Sequence, residues 1–298
     1  MVENSETDNA QTTNTQTKTI SAKLFRWLGF LFVTYVIILL VFYFCQSWMM
    51  FPGLLRMQVA IDDSAPELEV VRIITPDKES LEGILYEPPN PRGLVIVCHG
   101  NGDLVCLMQG EVKYLSRRFN VAVLAFDYRG YGNSDGFPTD KRLCDDGQAV
   151  YDFAIGQGYT KDNIVIYGRS LGGAIAVSMA ENNPIAGLGI RSSFSKMSDL
   201  AAFKYPWLPV RLLIRNDFPS SEKFSSYSGP LVQMHGSADG VIPIKFGREL
   251  FESATNAAPK KFMEIEGLGH NGQTPEPFWF EFGNMLDDCL PERSSIAE

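Results

Sequence analysis

Two pentapeptides of the form Gly-x-Ser-x-Gly occur in this chain, Gly132-Asn133-Ser134-Asp135-Gly136 and Gly168-Arg169-Ser170-Leu171-Gly172. A serine hydroxyl becomes a nucleophile when a neighbouring base takes its proton. The second pentapeptide has the right setting: Ile164–Tyr167 reads as a strand, and Leu171 opens a helical stretch. A sharp strand-to-helix turn presents the hydroxyl, and glycines around it give room to a strained backbone. The first pentapeptide runs into Phe137-Pro138, where no helix begins, so Ser134 reads as a loop serine.

In that arrangement an acid and then a histidine follow the serine in chain order. Only His235 and His270 lie downstream of Ser170. His270 sits in Gly267-Leu268-Gly269-His270-Asn271-Gly272, just past the last strand-like run, and is the expected base. His235 ends a strand and would be aimed by the sheet. Asp239, in His235-Gly236-Ser237-Ala238-Asp239-Gly240, falls after the penultimate strand and is the expected acid. Its bland alternative is a turn aspartate preceding glycine; its rivals Asp199 and Asp217 lie in a different segment. Negative charge developing on the substrate needs two backbone N–H donors. Leu171, next to the nucleophile, is one; Asn101 in His99-Gly100-Asn101-Gly102 is the other, with Gly102 as the alternative.

The elements that must position these residues alternate. Short apolar runs stand at 69–74, 81–86, 94–98, 121–126, 164–167, 186–190, 231–234 and 261–265. Helical stretches stand at 105–118, 141–156, 171–181, 244–253 and 277–289. Alternation of this kind predicts a mostly parallel twisted sheet with helices on both faces. The short polar link 76–80 predicts an antiparallel entry hairpin. Residues 191–230 break the rhythm and read as a short lid. Asp127, Arg129 and Tyr131 follow a strand at the same edge and read as a hydrogen-bonded scaffold, with a pocket contact as the alternative. Arg169 reads as an ion-pair partner, with attraction of an anionic head group as the alternative.

The front of the chain is different. Residues 1–22 are rich in Thr, Asn and Gln and read as a disordered polar tail. Residues 27–45 are then apolar but for Thr34, and nineteen residues of helix span roughly 28 Å, the thickness of a bilayer core. We therefore expect a transmembrane anchor at 27–47, with a cleaved signal peptide and a buried core helix as the alternatives, a linker hugging the interface, and one catalytic domain at 55–298. Lys18, Lys23 and Arg26 precede the span and Arg56 follows it. The positive-inside rule then puts the N-terminus in the cytoplasm and the body across the membrane.

Net charge is −9, from 26 Lys and Arg against 35 Asp and Glu, with no cationic cluster, which argues against a nucleic-acid partner. Three histidines and five scattered cysteines argue against a metal site. The cysteines are odd in number, and the four in the body would suffice for one or two disulfides.

Five ordered motifs, HGNG (99–102), DYRGYGNSDG (127–136), GRSLGG (168–173), HGSADGVIP (235–243) and GLGH (267–270), together resemble the α/β-hydrolase superfamily over residues 67–290. The likeness extends to its membrane-anchored serine hydrolase branch of esterases, lysophospholipid lipases and protein depalmitoylases, as does Met49-Met50-Phe51-Pro52-Gly53. The resemblance implies the α/β-hydrolase fold, the triad Ser170, Asp239 and His270, no cofactor, and an acyl ester or thioester substrate, a membrane lipid or an acylated protein among the candidates. An acyltransferase or peptidase with the same triad, or a silent binding protein on the same scaffold, are the alternatives.

Overall fold

The computed structural model describes residues 3–55, 61 and 67–291. Two compact units divide the chain, Met1–Gln46 and Ser47–Glu298. Helix α1 runs Glu3–Met50, and its stretch Lys23–Met50 is long and apolar enough to cross a membrane. Phe30, Leu31 and Phe32 stand exposed on it. The helix includes residues 3–22, where composition predicts a disordered tail. Once an apolar stretch has set the helical nucleus, each added residue gains a backbone hydrogen bond for one residue fixed, so polar residues can extend it.

The second unit starts earlier than the expected residue 55. Phe51 is fully buried in its core, and Pro52–Leu55 form a 3-10 turn. The expected interfacial linker is therefore, over Met50–Leu54, part of the folded body: Met50 and Leu54 also pack against that core. An apolar stretch next to an unfilled core face is more stable packed there than lying in an interface.

Eight strands form one sheet: β1 Leu68–Ile74, β2 Ser80–Tyr86, β3 Leu94–Cys98, β4 Ala122–Phe126, β5 Ile164–Arg169, β6 Gly187–Arg191, β7 Leu231–Gly236 and β8 Lys260–Ile265. Their order is β1-β2-β4-β3-β5-β6-β7-β8. The two leading strands pair antiparallel, β2 pairs antiparallel with β4, and all later neighbours are parallel. Side chains along a strand alternate faces. Leu94, Ile96 and Cys98 of β3 thus join a core with α3 (Asp140–Gly156), α4 (Leu171–Asn182) and α8 (Ile244–Ser253). Val95 and Val97 join the opposite core, with α2 (Val105–Phe119) and α9 (Glu276–Cys289). Burial on both faces explains why the central strands read as unbroken apolar runs.

The lid is mostly short helices, α5 Met197–Lys204, α6 Val210–Leu213 and α7 Ser220–Phe224. Leu208, Val210, Phe218 and Phe224 are buried under it, while Phe203, Tyr205, Trp207 and Leu212 are exposed. The chain runs from β3 to one side of the sheet and from β5 to the other. The C-terminal ends of these two neighbouring strands are thus a switch point, where an open α/β sheet forms its crevice. The five cysteines are free thiols.

Candidate active site

Ser170 follows β5 directly and caps α4 with φ 54° and ψ −119°. A positive φ on a residue with a Cβ costs about 1–3 kcal/mol and persists only where the surroundings enforce it. Here they do. The Ser170 N–H donates to Arg191 O at 2.9 Å, and the Ser193 hydroxyl donates to Ser170 O at 2.9 Å. The turn also needs its glycines: a Cβ at Gly172 would lie 2.0 Å from Cys98 O, and one at Gly168 2.5 Å from Gly172 O.

His270 lies in the loop between β8 and α9, and its Nε2 faces Ser170 Oγ at 3.0 Å. Its Nδ1 faces Asp239 Oδ2 at 2.7 Å. An ionised carboxylate only accepts, so Nδ1–H donates to Asp239 and the Nε2 lone pair is left for the serine proton. Burial would raise the Asp239 carboxyl. Hydrogen bonds from His235, His270 and the Ile242 N–H outweigh it and hold the group well below the usual carboxylate range. Asp239 Oδ1 accepts from Val241 N–H at 2.9 Å and Ile242 N–H at 2.7 Å.

The loops carrying Asp239 and His270 are stitched together. Ser237 N–H donates to Ile265 O at 2.9 Å, and Gly267 N–H donates to Ser237 Oγ at 2.9 Å. Beyond His270, the Arg191 guanidinium donates to Thr274 Oγ1 at 2.5 Å and to Gly272 O. Arg169 donates to Asn271 Oδ1 at 3.3 Å and pairs with Asp103 at 3.4 Å, so it serves as the expected ion-pair partner. These contacts hold the histidine loop from both sides, and no local sequence signal announces them.

For the oxyanion donors, Leu171 opens α4, where a backbone N–H has no carbonyl of its own helix to bond. The His99–Gly102 loop lies beside Ser170: a Cβ at Gly100 would sit 3.8 Å from Ser170 Cβ. Asn101 is held in that loop by its side chain. Its Oδ1 accepts from the Tyr131 hydroxyl at 2.6 Å, and its Nδ2 donates to Met50 O at 2.5 Å.

The rejected candidates have other partners. Asp199 pairs with Arg211 at 2.8 Å, and Asp217 accepts from Ser198 N–H at 2.7 Å. His235 donates from Nε2 to Ile242 O at 2.8 Å and lies 3.4 Å from Asp239 Oδ2. It thus lies against Asp239, a contact the sequence reading missed although His235 stands four residues before Asp239. Asp127 is buried and accepts from Val105 N–H at 3.0 Å. Arg129 is fully buried between Asp146 and Asp77, at 2.7 and 2.8 Å. Both are scaffold. Among the described residues no three His, Cys, Asp or Glu side chains converge on a metal-sized point.

Residues 89–208 match the family model described as serine aminopeptidase, S33. The chain is 36% identical over 179 residues to an uncharacterized protein of Mycobacterium tuberculosis, a match covering 59% of this chain and 62% of that one. It is 30% identical over 184 residues to alpha/beta hydrolase domain-containing protein 17B of Homo sapiens, covering 61% and 62%. The match therefore spans about three fifths of each relative's length. Among solved structures, an esterase of Pyrococcus furiosus superposes with a TM-score of 0.63 at 20% identity, covering 78% of this chain and 98% of that one. An alpha-beta hydrolase of Vibrio vulnificus superposes with a TM-score of 0.67 at 16% identity, covering 82% and 92%. Both share the fold.

Proposed function

We propose, on the footing of its likeness to the α/β-hydrolase superfamily, that the chain is a membrane-tethered serine hydrolase of acyl esters or thioesters. One observation carries this reading: Ser170 Oγ, the His270 ring and the Asp239 carboxylate form one continuous hydrogen-bonded line, at 3.0 and 2.7 Å. In this mechanism Ser170 Oγ attacks the acyl carbonyl as His270 Nε2 takes its proton. Asp239 keeps Nδ1 protonated and stabilises the imidazolium that forms. The N–H groups of Leu171 and Asn101 receive the oxyanion. His270 then protonates the leaving alcohol or thiol, and a water activated by the same nitrogen hydrolyses the acyl-enzyme, restoring Ser170.

The acyl preference rests on the lid. Phe203, Tyr205, Trp207 and Leu212 offer exposed apolar surface there, suited to an acyl chain drawn from a bilayer. The charge asymmetry around the span, Lys18, Lys23 and Arg26 before it and Arg56 after it, supports a catalytic body on the non-cytoplasmic side. The family model's description favours one second reading, a peptidase using the same triad on an amide.

The test is a substrate panel on the full-length protein in detergent micelles: a long-chain acyl ester, an acyl thioester and an aminoacyl arylamide. Turnover of the ester or thioester is expected. Turnover of the arylamide alone would transfer the assignment to a peptidase, and turnover of none would overturn the hydrolase reading.

A further inference from the structure

The segment that leaves α1 closes a ring of hydrogen bonds around the loop expected to hold the oxyanion. Met50 O accepts from Asn101 Nδ2 at 2.5 Å. Asn101 Oδ1 accepts from the Tyr131 hydroxyl at 2.6 Å. The Tyr131 oxygen in turn accepts from the Gly53 N–H. The ring thus begins and ends within one turn of chain, Met50–Gly53.

That turn is itself firmly seated. Phe51 N–H donates to Ser47 O at 2.9 Å, and Leu54 N–H donates to Phe51 O at 3.2 Å. The Phe51 side chain is fully buried, with its ring 6.4 Å from that of Phe218. Gly53 packs against the Tyr131 ring, where a Cβ would come within 1.9 Å of Tyr131 Cε1. Burial pushes the Tyr131 phenol up, so it stays protonated and remains a donor to Asn101 throughout any working pH.

We infer that Tyr131 and the juxtamembrane turn Met50–Gly53 are positioning elements of the oxyanion hole, acting through the Asn101 side chain. The inference rests on the serine-hydrolase reading above. Its physical basis is that an oxyanion donor works only when fixed beforehand, since catalysis gains nothing from a donor that must reorganise during the reaction. Asn101 stands in a loop between two glycines, Gly100 and Gly102, whose backbone freedom would otherwise let its N–H wander. Clamping both ends of its side-chain amide removes that freedom.

The test compares full-length wild type with Tyr131→Phe, Gly53→Ala and Ser134→Ala in micelles. Rates are expressed per active serine, counted by stoichiometric fluorophosphonate labelling. Tyr131→Phe keeps the ring and deletes both hydroxyl contacts. It should lower kcat about tenfold to a hundredfold, short of or matching the ~10²–10³ lost with a whole oxyanion donor, with KM within about twofold. Gly53→Ala, which touches no reacting group, should lower kcat in the same direction by displacing the Tyr131 ring. Ser134→Ala is the stability control and should lower Tm without lowering kcat. If Tyr131→Phe and Gly53→Ala lower Tm but retain wild-type kcat per labelled serine, the ring is merely structural and the inference is overturned while the triad stands. If the wild type carries no label that Ser170→Ala abolishes, the serine-hydrolase reading falls, and this inference with it.

Discussion

Ser134 and Ser170 sit in the same five-residue pattern thirty-six positions apart, yet the molecule uses them in opposite ways. Ser134 is buried in a loop, and its hydroxyl is committed twice to backbone: it donates to Asp127 O at 2.8 Å and accepts from Glu82 N–H at 2.9 Å. Ser170 is held by its backbone instead, in a strained conformation, so that its hydroxyl is left for His270. The pattern is shared, and what separates the two hydroxyls is whether a histidine nitrogen or the backbone faces them. The two histidine–aspartate neighbourhoods teach the same thing. His99 lies 3.5 Å from Asp127, but its ring packs at a tilt on Tyr128 with centroids 4.2 Å apart, and its Nδ1 faces Gly100 O at 2.8 Å. His270 presents its second nitrogen to a serine.

The comparison breaks or holds on four changes. Ser170→Ala should lower ester hydrolysis by about 10⁴–10⁶ in kcat, and residual activity within tenfold of wild type would erase the distinction between the two serines. Asp239→Asn should lower kcat by about 10⁴ while the protein still folds, because the amide holds the imidazole in the wrong tautomer. Full activity in that variant would move the acid elsewhere.

The third change is pH. The Asp239 carboxyl is held well below the usual range by the groups that donate to it, so it stays ionised through mildly acid pH. The same depression has a stability sign. A carboxyl lowered by folding contributes stability above the ordinary aspartate value near 4, and that contribution is lost as pH falls through its folded value. The Tm advantage of wild type over Asp239→Asn should therefore shrink in acid.

The smallest effect belongs to Ser134→Ala. It leaves Asp127 O and Glu82 N–H without their side-chain partner, which costs about 1–3 kcal/mol. For a domain this size that is a drop in Tm of roughly 2–10 °C, with kcat unchanged. A large loss of kcat at constant Tm would give Ser134 a chemical role after all.

Much of this was legible from residues alone, for physical reasons. The eight strands stand out because burial on both faces demands unbroken apolar runs such as Leu94–Cys98, and each falls within two residues of its expected bounds. Ser170, Asp239 and His270 stand out because each follows a strand at the same sheet edge. The lid helices α6 and α7 do not, since four and five residues are too short to carry a periodic pattern. The junction after α1 was misread because Met49–Leu55 is equally apolar whether it meets lipid or core, and only the tertiary partners decide. The clasp of Asn101 by Met50 and Tyr131 joins residues 51 and 30 positions away, and separations of that kind leave no local signature. The sharing of Asp239 by His235 and His270 is hidden likewise, because strand order sets it.

The central claim is that Ser170 alone carries an activated hydroxyl. The direct measurement is peptide mapping by mass spectrometry of the full-length protein after reaction with a fluorophosphonate probe. One phosphonyl adduct on the peptide containing Ser170, none on that containing Ser134, and none anywhere in Ser170→Ala is the predicted result. An adduct on Ser134, or undiminished labelling of Ser170→Ala, would contradict it.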